Sequence, residues 1–363
     1  MKKIVHLHTD PKFFYDVSSY QNKLFENEII VLGKDINVKN INIPVTIFDP
    51  INEDIEIIIN FISNFDAVVI ANLTPFNKKL VLKIPKKVKI FWRFFGYELY
   101  STRLDLMLSD TSIKASKNDY GLESTGIKKV VNSLWTKLIF FLKSYKYHRK
   151  IDYILLFSSE EYEFLNKHWS FIPKFLRLPL YNGLEYKFLV KENNFILGNS
   201  RSIFNNHLNL IDIVKKKDAG FNIKMFLSYG PEKNYYQNLS NEIAEIPYID
   251  KITDFMTSQD FTNIYEKSSA LVMNAYRQMA LGNIFIAIQN NCKIYLSSKN
   301  PIKSWLEKNG LKIFSIEQFE EDYNDGNLFL TDEDARNNIS KFNEIYANYN
   351  VDMFCKKINE ILN

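Results

Sequence analysis

The 363-residue chain is long enough for two domains with separate cores, and 46% hydrophobic with 24% charged residues marks it as a folded, globular protein. A net charge of +4 is too slight for general nucleic-acid binding, so no nucleic-acid partner is expected. Cys292 and Cys355 lie far apart without a CxxC pattern, which points to reduced thiols in a cytoplasmic setting. No apolar run of about 18 residues suggests a spanning helix, and MKKIVHLHTD reads as a first strand rather than a signal peptide.

In chain order, short β-branched or aromatic runs predict strands at Lys3–Leu7, Ile29–Leu32, Val45–Phe48, Ala67–Ala71, Val88–Trp92, Asp152–Phe157 and Phe175–Leu178. Their nearly continuous apolar character suits parallel strands covered on both faces. Helical patterns fall between them, for example at Ile51–Ser63 and Tyr97–Leu108, with Glu160–His168 between the last two. Leu180–Asn194 has no convincing period and contains Asn182-Gly183, so it is the expected linker. A second series then begins. Strands are predicted at Phe195–Leu197, Ile223–Leu227, Ala270–Met273, Lys293–Leu296 and Lys312–Phe314. Helices are predicted at Asn206–Lys217, Glu232–Glu245, Gln259–Lys267, Gln278–Asn290 and Pro301–Asn309, with a helical end over Asp332–Leu362. The expected division is 1–185 for an N-terminal Rossmann-like domain and 186–363 for a C-terminal one, the last helix being free to cross back.

The most informative stretch is Asn194–Asn206, NFILGNSRSIFNN. Phe195–Leu197 is a buried strand, Gly198-Asn199-Ser200 a turn, and Leu208, Leu210, Ile211, Ile213 and Val214 begin a helix. Strand, tight turn and helix start in an open α/β sheet form a place for phosphate, because the backbone can approach the ligand and the helix offers unpaired N–H groups. An ordinary strand-to-helix turn has the same pattern. With only 11 glycines in the chain, Gly198 has a backbone reason to be there. Ser228-Tyr229-Gly230 closes another strand in a way that suits contact with a base or phosphate. Arg277, beside Gln278 and following the strand Ala270–Met273, is placed to pair with a diphosphate, and Gly282 to let the next helix approach closely. His207 has two readings, a phosphate ligand or a first-turn helix residue. No DxD motif or metal-ligand cluster is visible and no cofactor is called for, so arginine and helix dipoles must balance a diphosphate leaving group.

In the N-terminal half, His6, His8 and Asp10 end the first strand, and any of them could act as a base toward an acceptor hydroxyl. Phe91–Tyr100, FWRFFGYELY, places Arg93 before a turn at Gly96 and Glu98 just after it. Arg93 suits an acceptor carboxylate or phosphate. Glu98 is either a base or a favourable partner for a helix dipole. Residues 127–150 combine an apolar helical face with lysines and arginine and hold no acidic residue. This suits an anionic membrane surface, with Trp135, Lys137, Phe140, Phe141 and Lys143 as contacts, or equally a surface helix packed on its own domain.

Two Rossmann-like domains facing a cleft, with C-terminal helices, make up the GT-B arrangement of sugar-nucleotide glycosyltransferases. The sequence further resembles the 4-α-L-fucosyltransferase family of enterobacterial common antigen synthesis. The resemblance is carried by VHLHTD, VLGKD at Val31–Asp35, FWRFFGYELY, ILGNS with Asn206-His207, SYGP at Ser228–Pro231, YRQMALGN at Tyr276–Asn283, and KNP at Lys299–Pro301 before Trp305. It implies transfer of a deoxy amino sugar, N-acetylfucosamine-like, from a TDP-sugar to a polyprenyl-diphosphate-linked saccharide. The setting it implies is the cytoplasmic face of the bacterial inner membrane, in common-antigen, O-antigen or other polysaccharide synthesis. The family pattern carries over to Asp10, Gly96, Gly198, Asn199, Ser200, His207, Gly230, Arg277, Gln278 and Gly282. It departs before Gly96, where Arg93-Phe94-Phe95 stands for the family's His-Ile-Trp. The acidic residue two beyond that glycine is Glu98 here. The family's glycine after Asn-Ser is Arg201, and its helix Gln-Gly is Met279-Ala280.

Two further readings stand beside this one. The first is a non-catalytic two-domain protein that binds a nucleotide-sugar or polysaccharide. The second is a sugar-nucleotide 2-epimerase, which shares the double Rossmann layout but needs cleft carboxylates and histidines that the sequence does not place.

Overall fold

The computed structural model describes the chain except for residues 10–16, 18–19, 21–23, 34–42, 52–53, 117–118, 120–143 and 170. Asp10, Trp135, Lys137, Phe140, Phe141 and Lys143 therefore lie outside the described residues. The chain divides into two units. The first comprises the described residues of Met1–Thr102, Gly126–Asn182 and Tyr346–Asn363; the second comprises those of Arg103–Thr125 and Gly183–Ile345.

The first unit is built on strands β1 (Lys2–His8), β2 (Phe25–Leu32), β3 (Val45–Phe48), β4 (Ala67–Ala71), β5 (Lys89–Arg93), β6 (Tyr153–Leu156) and β7 (Lys174–Arg177). They form a parallel sheet in the order β3-β2-β1-β4-β5-β6-β7. All five residues of β4 are buried, as a strand covered on both faces requires. The helix Pro75–Lys83 starts where Thr74 caps it and Pro75 presets the first turn. It fills the interval between two predicted strands, where sequence reasoning expects a helical pattern without giving its bounds. The last helix, Val351–Leu362, is capped by Asn350 and puts Phe354 edge-on to Tyr20 at 5.3 Å.

The second unit holds β8 (Glu192–Leu197), β9 (Asn222–Phe226), β10 (Ile249–Ile252), β11 (Ser268–Met273), β12 (Lys293–Leu296) and β13 (Phe314–Ser315). Their order is β10-β9-β8-β11-β12-β13, again parallel throughout. Each sheet reverses its winding beside its first strand, between β1 and β4 and between β8 and β11. In open α/β sheets ligands bind off the carboxyl ends of the strands at such points.

Two differences from the predicted elements have physical causes. Strand β10 is not predicted, because as an edge strand it buries only Ile249 fully and presents Asp250 and Lys251 outward. The helix expected over Tyr97–Leu108 is two short ones, Tyr97–Tyr100 and Leu104–Met107. The break falls at Arg103, which leaves helical geometry and buries its guanidinium in a two-bond pairing with Asp105 at 2.9 and 3.0 Å. The segment from Arg103 groups with the second unit, and Tyr346–Asn363 groups with the first.

Candidate functional site

The loops after β8, β9 and β11 bring together the residues that the sequence singles out in the second unit. Gly198 ends β8 with φ of +72° and donates its N–H to Val272 O on β11 at 2.9 Å, across the switch point. A side chain is excluded there, because a Cβ would lie 2.5 Å from His207 Nε2. Asn199 donates from Nδ2 to Tyr229 Oη at 2.6 Å. Arg201 donates from Nε to Gly230 O at 2.7 Å and pairs with Glu232 at 2.8 Å. Gly230, with φ of +120°, would bring a Cβ within 2.9 Å of Arg201 Cγ. The Gly198–Arg201 and Ser228–Gly230 turns are thus locked to each other. Ser200 is buried and accepts from Asn205 Nδ2 at its carbonyl, at 3.0 Å.

His207 is completely buried. Its backbone N–H donates to Tyr235 Oη at 2.9 Å, and burial pushes its imidazole pKa down to about 3. It packs beneath Gly198, with Nε2 toward that glycine, and burial favours its neutral form. Asn206, just before it, has a role that no sequence motif reveals. Left-handed at φ of 48°, it accepts from Ser109 N at 2.8 Å and donates to Met107 O and Asn274 O at 3.2 and 3.1 Å. It thereby ties the Arg103–Thr125 segment to the loops after β8 and β11.

Arg277 and Gln278 follow β11 and are partly buried. The Arg277 guanidinium lies 4.8 Å from the Phe204 ring, directly beyond the Gly198 turn. The helix Leu281–Gln289 starts from Ala280, which is left-handed and provides no side-chain cap. Nothing lies within 4 Å of a Cβ built at Gly282. The expectation that Gly282 admits a closely packed helix is therefore corrected: the glycine leaves open space at a helix start, where backbone N–H groups lack intrahelical partners.

Beside these loops lies a cavity of about 310 Å³. Asn199, Ser228 and Tyr229 line it, as do Asp254, Phe255, Thr257 and Asn283, which sequence reasoning does not single out. Phe255 is 82% exposed, an aromatic surface left open beside a polar cavity. Its loop follows β10, so the unpredicted strand also hides the loop. Asn283 donates to Tyr265 Oη at 2.8 Å, which fixes its amide.

In the first unit, His8 is buried at the end of β1. His6 lies within the strand, 2.9 Å from Asn27 Oδ1 and edge-on to Tyr20. Arg93 ends β5 with its guanidinium 5.0 Å from the Phe95 ring. Gly96 turns the chain at φ of 98°. Glu98 then points back to accept from Trp92 Nε1 at 3.3 Å. Burial pushes the Glu98 carboxyl above its ordinary range, against the pull of its own backbone N–H, Trp92, and the Leu73 and Phe95 backbones. Burial lowers the pKa of Lys78, in the first turns of Pro75–Lys83, and the Glu98 charge opposes that shift. No sequence signal marks Lys78, since nothing local to it reports the approach of Glu98.

No protein-family model matches the chain, and no curated protein matches it. Solved structures do match. A glycosyltransferase from Rickettsia africae shares 14% identity over 99% of this chain and 97% of its own, with a TM-score of 0.64. Anabaena Alr3699/HepE in complex with UDP and glucose shares 12% over 100% and 99%, with a TM-score of 0.63. Sucrose-phosphate synthase from Thermosynechococcus elongatus shares 8% over 99% and 98%, with a TM-score of 0.62. Two parallel-sheet α/β units matched over their full length to such structures define the GT-B fold.

Proposed function

We propose that the protein is a metal-independent glycosyltransferase. On this reading it moves a deoxy amino sugar from a TDP-sugar to a polyprenyl-diphosphate-linked saccharide in bacterial surface polysaccharide synthesis. The observation that carries the reading is the uncapped start of Leu281–Gln289, with Arg277 just before it and open space at Gly282. That combination suits a diphosphate. The adjoining cavity, with Asn199, Ser228, Tyr229 and the exposed Phe255, suits the base.

The acceptor belongs to the first unit, near His8, Arg93 and Gly96. Asp10 or Glu98 takes the proton from the acceptor hydroxyl as its oxygen bonds to the sugar's anomeric carbon. The bond from that carbon to the diphosphate oxygen breaks, and Arg277 and the helix start stabilise the departing charge. Among the described residues no helix is long and apolar enough to cross a membrane. The reading places the protein peripherally on the cytoplasmic face of the inner membrane, through Trp135, Lys137, Phe140, Phe141 and Lys143.

A thermal-shift panel of TDP, UDP, GDP, ADP and CMP tests the donor, since a bound nucleotide raises the melting temperature by mass action. A shift with TDP alone supports the reading. A shift with UDP or GDP instead overturns the donor, and no shift with any of them favours a non-catalytic protein.

A further inference from the structure

The first unit carries a second cavity, of about 440 Å³, at the opposite end of its strands from the turns at Gly96 and Asn72. Lys89, Tyr153 and Lys174, which line it, are the first residues of β5, β6 and β7. Phe171, Ile172, Pro173 and Ile361 supply an apolar wall. The charged lining is unequal. Lys89 is paired with Asp152 at 3.0 Å, whose second oxygen accepts from Ile90 N at 2.9 Å. Arg149 and Lys174 are exposed, and among the described residues neither has a carboxylate within ion-pairing distance.

The wall is held in an unusual shape. Phe171 has φ of 58°, a conformation that bulky residues avoid. His148 Nδ1 donates to its carbonyl at 3.0 Å, and Tyr145 packs edge-on to its ring at 4.7 Å. The same Tyr145 ring lies 5.0 Å from the Arg149 guanidinium. The result is a half-exposed aromatic ring set beside two cations, and such local strain persists where surrounding structure holds it.

We propose that this cavity binds the headgroup of an anionic phospholipid, with Arg149 and Lys174 on the phosphate and Phe171 entering the acyl boundary. Charge complementarity accounts for the two cations. A ligand with a hydrocarbon part also covers the exposed Phe171 ring and the partly buried Ile172. The inference does not rest on the transfer reaction, and it concerns residues other than those assigned above to membrane contact.

The test is co-sedimentation of the full chain with phosphatidylcholine vesicles, with and without phosphatidylglycerol. Each cation near an anionic surface contributes about 1 kcal/mol, so Arg149→Gln with Lys174→Gln should weaken binding about thirty-fold. Phe171→Gly suits the left-handed backbone, so it should weaken binding without lowering the melting temperature. Lys216→Gln with Lys217→Gln removes as much charge elsewhere and should bind as the parent does. Equal loss in that control, wild-type binding by the Arg149/Lys174 variant, or equal binding to neutral vesicles would overturn the proposal. Calorimetry with glycerol 3-phosphate distinguishes the source of the phosphate: binding there without vesicle binding would overturn the lipid assignment.

Discussion

Replacing Gly198 by alanine tests whether the turn after β8 is shaped as described. The new Cβ would lie 2.5 Å from His207 Nε2, 2.9 Å from His207 Cδ2 and 3.6 Å from Asn205 Cγ. The imidazole has no easy retreat, because it is completely buried and its Nδ1 lies 3.2 Å from Tyr235 Oη. Two costs add: about 1–2 kcal/mol for an alanine at φ of +72°, and about 1–3 kcal/mol for overpacking. The sum is about 2–5 kcal/mol, readable by urea unfolding. His207→Ala separates the terms. In that background the overpacking part should vanish, leaving about 1–2 kcal/mol for Gly198→Ala and a coupling of about 1–3 kcal/mol. A cost for Gly198→Ala below about 1 kcal/mol, or one unchanged by removing the imidazole, would refute the reasoning.

On the proposed reading, in which Arg277 pairs with the diphosphate, Arg277→Ala should lower transfer by about a hundred-fold or more while leaving the melting curve nearly unchanged; near-normal turnover would remove it from the mechanism. Glu98→Gln should lower transfer by about a hundred-fold or more if Glu98 is the base. The same variant has a stability signature: with its folded pKa raised above 4.5, Glu98 in the native state holds its proton longer than in the unfolded chain. Stability therefore falls as pH rises from 4.5 through the raised value, and the variant should lack that fall when unfolding is followed against pH. Asn206→Ala should cost about 3 kcal/mol or more in urea unfolding, from buried groups left without partners and an alanine in left-handed geometry.

What the sequence displays depends on how local the cause is. Ala67–Ala71 and Lys293–Leu296 match their strands at both ends, because apolar runs bounded by turns report burial directly. Ile249–Ile252 escapes, because an edge strand needs little burial and its pairing with β9 leaves no pattern in four residues. Helical periodicity runs through Ser101–Arg103, yet the burial of Arg103 against Asp105 decides the break there. At the site, Gly198 is legible because glycine is scarce in this chain. Asn206 is not, because its partners are 97, 99 and 68 residues away, a spacing no local motif carries.

The left-handed residues provide the link between fold and site. Asn72, Gly96, Gly198, Gly230 and Ala280 follow β4, β5, β8, β9 and β11, all at carboxyl ends, where the chain must turn back. Glycine or asparagine fills these positions at little cost. Ala280 has neither advantage, and φ of 53° costs an alanine about 1–2 kcal/mol. In the pattern that the sequence resembles this position is glycine, whereas here an alanine takes the left-handed backbone. Position 201 departs differently. Where the pattern has glycine, Arg201 bonds to Gly230 O and Glu232 and lies 5.3 Å from the Tyr236 ring. A left-handed backbone at the helix start and an arginine side chain beside the second turn separate two demands on the proposed site. On the proposed reading the diphosphate meets backbone N–H groups, whereas the group carried on it meets side chains.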